Sequence, residues 1–338
     1  MRSIKIRKNI FVFFLIAVIV INKSFCQEKK FYHRCGIYEF NIEPIILEGI
    51  PFDEDSSPLK RKLDSDGFKD FNIHLDVENL EYEIEKYNLS DKHDLIINSM
   101  NKAINTLEKL LKVKPFMRNY YISDDNFAYI NIEKWEKDKY GSEAFLNHSK
   151  TLMHTGYDLI IFGKIIHVDP STLASARAVF LEMDNKRPYG GIVNINANAD
   201  YSKNKSKEYL ESILLHEITH VLGFSNSFFS NIFNNTYWEE DTYGINRAYI
   251  NSSKVLEVAR KYYNCQDIKG VPLEEYGGTG TVGSHWEARI LLGDYMNGYV
   301  HTEEQVISEF TLALLEDSGF YKANYYTGGL MRYGKNKG

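Results

Sequence analysis

The chain has 338 residues, with 40 Lys+Arg against 46 Asp+Glu and a formal net charge of −6. A weakly acidic chain with no basic stripe lacks the electrostatic footprint of a nucleic-acid binder. With 43% hydrophobic residues, three cysteines and seven prolines, it is neither a disordered chain, a disulfide mini-scaffold nor a Pro-rich linker protein.

The first segment reads as an address. Arg2, Lys5, Arg7 and Lys8 precede an unbroken apolar run of 12 residues, Ile10 to Ile21. That is the core length of a secretory signal and too short for a bilayer span. Ser24 and Cys26 are the small residues expected before a cleavage point at Gln27. Residues 1–26 are therefore expected to be a signal peptide, directing the chain to the secretory lumen or outside the cell. No later stretch is long and apolar enough to be a transmembrane segment, and the end from Arg332 to Gly338 has no hydrophobic tail for a glycolipid anchor. Cleavage leaves Cys35 and Cys265, for which an oxidising compartment suggests a disulfide. Sequons at Asn88, Asn147, Asn204, Asn234 and Asn251 fit secretion.

Residues 27–65 are polar and turn-rich, and Lys60-Arg61-Lys62 invites proteolytic nicking. Phe71, Ile73, Leu75 and Val77 alternate with polar residues, predicting a half-buried strand. Ser90 or Asp91 can cap a helix with Ile96, Ile97, Met100, Ile104, Leu107 and Leu111 at helical spacing. Leu159–Ile166, Leu173–Phe180 and Ile192–Ile195 read as buried strands, the last two separated by Arg187-Pro188 and Gly190-Gly191. Tyr209 to Leu222 is a helix by pattern, stopped by Gly223. Thr302 and Gln305 form a capping box for a last helix to about Asp317, with Gly319 as its stop. No internal repeat is present. The order suggests an α+β fold or a mixed sheet with helices on one face.

The Tyr209–Leu222 helix carries His216-Glu217-Ile218-Thr219-His220. Histidines four apart leave the same helix face one turn apart, as two legs of a tetrahedral metal site require. Glu217 beside them can take a proton from a metal-activated water, which makes this the H-E-x-x-H arrangement of a zinc peptidase. Without a metal, so apolar a helix would bury two imidazoles and a carboxylate for no return. In the compact form of the motif the third ligand would be residue 226, but that is Asn226. Glu239 or Glu240 on a following element is one solution. The other is a delayed histidine, His285, which lies 62 residues after Gly223. Met296 follows it by 11 residues and could floor a three-histidine site; otherwise it is an ordinary core methionine.

These residues resemble the leishmanolysin family, surface metzincins of protozoa and their relatives. The resemblance rests on His216-Glu217-x-x-His220-x-x-Gly223-Phe224-Ser225, Phe228-Phe229, Ile250-Asn251-Ser252-Ser253, Ala259-Arg260, Tyr263-x-Cys265, the Gly277-to-His285 segment and Glu316-Asp317-x-Gly319-Phe320-Tyr321. It implies one catalytic Zn2+ held by His216, His220 and His285, Glu217 as general base, Gly223 ending the active-site helix and Met296 in the Met-turn. It implies a metzincin-like α+β fold: a mixed twisted sheet, a backing helix and an active-site helix in 66–223, an insertion in 224–284, and a short helical C-terminal subdomain in 285–338. His33-Arg34-Cys35 matches the family's cysteine-switch motif, so 27–65 becomes a propeptide whose Cys35 thiolate plugs the metal until cleavage near Lys60–Lys62.

The chain also departs from the family. It lacks cysteines around Ala174 to Asn198, reads Met-Asn-Gly at the Met-turn, and stops at Gly338 before the Cys-rich sequence of its relatives, which leaves membrane association open. The implied activity is a secreted metalloendopeptidase acting on protein or peptide substrates. Substrates would add as a strand along Leu173–Phe180; Tyr295 or Tyr299 could assist the oxyanion, although among 24 tyrosines a structural role is the readier expectation. The alternative is a non-catalytic cell-adhesion protein on the same fold, and an intact Glu217 argues against it.

Overall fold

The computed structural model describes residues 43–51, 63–123, 126, 156–201, 207–240, 244–278, 280–299, 305–325 and 331–337. The expected signal peptide, Cys35, the nicking site at Lys60–Lys62, and Thr302 lie outside the described residues. In chain order the strands are β1 (Ile45–Leu47), β2 (Ile50–Pro51), β3 (Lys69–Asp70), β4 (Ile73–Asp76), β5 (Leu111–Val113), β6 (Arg118–Asn119), β7 (Leu159–Ile166), β8 (Ala174–Glu182), β9 (Pro188–Asn196), β10 (Thr236–Glu240), β11 (Asn246–Ile250), β12 (Val271–Pro272) and β13 (Tyr321–Ala323). The helices are α1 (Val77–Lys86), α2 (His93–Leu110), α3 (Lys207–Val221), α4 (Asn226–Asn231), α5 (Ser253–Tyr263) and α6 (Glu309–Asp317).

The main sheet is mixed, in the order β1-β8-β9-β7-β4. β4, β7 and β9 run parallel, β8 runs antiparallel to β9, and β1 runs parallel to β8. The near-continuous apolar sequence of β7 follows from its central place, because a strand buried on both faces has no polar side. Leu159, Ile161 and Ile165 face the helices, while Ile160 and Phe162 face a second cluster with Phe116, Tyr120, Phe180, Tyr189 and Leu47. Among the described residues, the second face of the sheet is thus covered too, by strand and loop residues. On the helical side α3 packs on α2, β8 and β9. Ile96, Met100, Ala103, Ile104, Leu107 and Leu110 form the buried stripe of α2.

Five boundaries differ from the sequence expectation. Val77 opens α1 instead of ending a strand, because Asp76 accepts from the Asn79 N–H at 3.3 Å and caps the helix. A 3-10 turn, Ser90–Lys92, precedes α2, and Leu111 leaves that helix to begin β5. Gly190 and Gly191 lie inside β9 rather than in a turn; a Cβ on Gly191 would collide with Val221 Cγ1, so the glycine lets α3 sit directly on the sheet. The last helix starts at Glu309, because Ser308 accepts from the Phe310 and Thr311 N–H groups as its N-cap. Gly319, at φ 75°, stops it as expected.

The 224–284 stretch folds as α4, the antiparallel β10-β11-β12 sheet and α5. α5 packs on α6. Its N-terminus is capped from that helix: Asp317 accepts from the Lys254 N–H at 2.9 Å and the Val255 N–H at 3.1 Å. The chain then returns as β13, antiparallel to β5, so the last subdomain is not purely helical. The outer side of β8, expected to take substrate, carries β1 against Phe180–Glu182. Among the described residues, no helix is long and apolar enough to cross a membrane.

Candidate metal centre

α3 is apolar around most of its circumference, with Leu210, Ile213, Leu214, Ile218 and Val221 all buried. Its burial carries His216, Glu217 and His220 inward at 3%, 0% and 2% exposure. Gly223, at φ 111°, turns the chain where an L side chain would be strained. The turn brings the Phe224 carbonyl back to His220, whose Nδ1 donates to it at 2.5 Å. His285 arrives from far downstream. Its segment is pinned by the Glu274 N–H donating to the His285 carbonyl at 2.8 Å. Arg247 of β11 pairs with Glu275 and with Glu287, and Arg289 bridges the same two carboxylates.

The three imidazoles meet. Nε2 of His216, His220 and His285 are mutually 3.1 Å apart. His216 and His285 stack at 17°, and His220 stands nearly perpendicular to both. Every Nδ1 donates to a backbone carbonyl: His216 to Tyr295 at 2.6 Å, His220 to Phe224 at 2.5 Å and His285 to Thr281 at 2.9 Å. A carbonyl only accepts, so each ring carries its proton on Nδ1 and turns an Nε2 lone pair inward. Burial holds His216 in the neutral form, down to about 4. Burial, then the neighbouring His216 and His285, push His220 well below the ordinary histidine value.

Three converging lone pairs repel unless a cation lies among them. Tetrahedral zinc with bonds of about 2.0–2.1 Å sets its nitrogens about 3.3 Å apart, close to the spacing here. The donor set therefore fits zinc, and among the described residues these three form a group able to hold a metal ion. Glu239 and Glu240 are exposed on β10 opposite Arg247 and Asn246 and do not join the cluster.

Met296 is fully buried. Its carbonyl accepts from the N–H of Trp286, the residue after His285, at 3.1 Å. Tyr295 does not face an oxyanion position: its hydroxyl lies 2.9 Å from Thr219 Oγ1 inside the core. Tyr299 is half-buried, with its hydroxyl against Gly277. Among the described residues Cys265 is a half-buried free thiol; its expected partner, Cys35, lies outside them. What sequence reasoning missed is the role of the Tyr295, Phe224 and Thr281 backbone carbonyls, which carry no side-chain signal. Asp294 was missed as well; it accepts the Met296 N–H at 2.6 Å.

The family model described as leishmanolysin matches residues 87–338. A leishmanolysin homolog of Crithidia fasciculata is 33% identical over 186 residues, 54% of this chain and 27% of its own length. A leishmanolysin-like peptidase of Drosophila melanogaster is 30% identical over 205 residues, 49% of this chain and 30% of its own. A leishmanolysin of Leishmania chagasi is 26% identical over 222 residues, 61% of this chain and 35% of its own. The matched segment thus spans about a third of these relatives' length.

Proposed function

The chain belongs to the leishmanolysin family, and from that premise we propose that it is a secreted zinc metalloendopeptidase that hydrolyses peptide bonds within proteins. The observation that carries this reading is the triangle of Nε2 atoms with 3.1 Å sides, with a buried carboxylate, Glu217, on the same helix. His216, His220 and His285 would hold the zinc. When bound, zinc supplies Lewis acidity that acidifies a water and polarises a carbonyl. Glu217 takes the proton from the attacking water and returns it to the leaving amine, as a general base and then an acid. The backbone carbonyls on the three Nδ1 atoms keep the rings neutral and oriented, so the nitrogens need no rotation to bind. Met296, next to the carbonyl that orients His216, serves as the Met-turn residue, and Gly223 ends the helix.

We further propose that the enzyme is made latent. Residues 1–26 would be removed on secretion, and Cys35 would occupy the metal in the precursor until cleavage near Lys60–Lys62. β1 supports this reading by seating residues Ile45–Leu47 on β8, the strand proposed to receive the substrate backbone.

The deciding experiment compares processed wild type with Glu217→Ala for zinc content and casein cleavage. Equal zinc with activity lost by a factor of about 100 or more in the variant supports the peptidase. Full zinc occupancy with undetectable proteolysis by both proteins favours an adhesion protein on the same fold.

A further inference from the structure

Asp294 is fully buried, and the side chains bonded to it are neutral. Its Oδ1 accepts from the Met296 N–H at 2.6 Å and from Thr311 Oγ1 at 3.1 Å. Its Oδ2 accepts from Ser308 Oγ, and from Thr311 Oγ1 at 2.9 Å. The Ser308 hydroxyl has no freedom to reverse. Ser308 Oγ already accepts from the Phe310 and Thr311 N–H groups as the cap of α6. Thr311 Oγ1 already accepts from the Trp286 Nε1–H at 2.9 Å. Ser308 therefore spends its one proton on Oδ2, and the Met296 N–H needs an acceptor at Oδ1, so only a group with an accepting oxygen at both positions satisfies the two. A helix cap alone does not need this, because Ser308 performs the capping.

The network joins the two segments that orient metal-site histidines. On one side Trp286 follows His285; its ring N–H ends on Thr311 and its backbone N–H on the Met296 carbonyl. On the other side Tyr295 lies between Asp294 and Met296, and its carbonyl receives His216 Nδ1–H. The Tyr295 N–H is itself held by the Val306 carbonyl at 2.9 Å. α6, remote in sequence from the H-E-x-x-H helix, thereby fixes where His216 and His285 stand relative to each other.

We propose that Asp294 is a positioning residue of the metal centre: its carboxylate clamps the Met-turn and the Trp286 shoulder onto α6, so that His216 and His285 are held at metal-binding separation. The proposal rests on the zinc reading above and concerns affinity and geometry rather than the chemical step. Removing an outer-shell partner of a metal site costs about 10- to 100-fold in affinity, and a loss in that range is expected here.

The test uses the full chain as wild type, Asp294→Asn and Thr311→Val. Zinc affinity is measured by competition with a chromophoric chelator, and the visible absorption of the cobalt-substituted protein reports ligand geometry. Both variants should bind zinc about tenfold or more weakly and show a shifted or broadened cobalt band. If Asp294→Asn fails to fold, Thr311→Val decides, since it keeps the side-chain shape and removes the link to Trp286. Variants that melt earlier yet keep wild-type zinc affinity and an unaltered cobalt spectrum would overturn the proposal and leave the metal centre standing. A wild type that binds neither metal would overturn the zinc reading and this inference together.

Discussion

Nδ1 of His216 lies 2.6 Å from the backbone carbonyl of Tyr295, 79 residues further along the chain. The bond sets the tautomer of the first motif histidine from the segment leading into Met296. It means that the H-E-x-x-H helix does not define the site unaided: one of its imidazoles is oriented by the same loop that precedes Met296. The other two rings are oriented in the same way, by Phe224 and Thr281.

The delayed third ligand is tested by substitution at the two competing positions. His285→Ala should lower zinc affinity by at least about 100-fold, beyond the loss of an outer-shell partner, whereas Glu239→Ala should bind zinc as wild type does. Metal titration of both variants checks this. A strong effect at Glu239 with none at His285 would contradict the three-histidine site.

Gly223→Ala should destabilise by about 1–3 kcal/mol, because φ 111° is sparsely allowed for an L residue. The added Cβ would also stand 3.1 Å from the Phe228 ring. Since the same turn delivers the Phe224 carbonyl to His220, zinc affinity should fall along with the melting temperature. Thermal unfolding with and without zinc separates the two effects, and an unchanged melting curve would mean that the turn is unstrained.

Latency is tested at Cys35. The unprocessed Cys35→Ser chain should cleave casein where unprocessed wild type does not, because a hydroxyl is a far poorer zinc ligand than a thiolate. If the mutant precursor stays as inactive as wild type, the thiolate plug is refuted.

Asp294 also predicts a pH dependence. Burial raises its carboxyl from 3.8 to about 6, against the hydrogen bonds from Ser308, Met296 and Thr311 that lower it. A raised carboxyl means that the folded state holds the proton more tightly than the unfolded chain. Its contribution to stability is fully present below about 3.8, is lost as pH rises through about 6, and is constant above that. The change is on the order of 3 kcal/mol. Urea midpoints of the metal-free protein between pH 4 and pH 6 should therefore fall more steeply for wild type than for Asp294→Asn. Parallel slopes would show that the group titrates normally.

Much of this was legible from residue order. Leu159–Ile166 is a strand because its apolar run suits a position buried on both faces. His216 and His220 share a helix face because they are four residues apart. Gly223 ends that helix because the turn into Phe224 needs a backbone angle that only glycine adopts freely. Each of these is a relation between neighbours within one or two turns, and short-range sterics and hydrophobic periodicity act over that range. The folded chain was needed for the rest. It showed that Gly190 and Gly191 lie inside a strand rather than a turn, with Gly191 serving helix–sheet contact, that Ser308 and not Thr302 opens α6, that the Tyr295 hydroxyl points into the core, and that His285 rather than Glu239 reaches the histidine pair. Those outcomes turn on contacts between segments tens of residues apart, and on backbone carbonyls that every residue type possesses. Such carbonyls leave no mark in the order of the side chains.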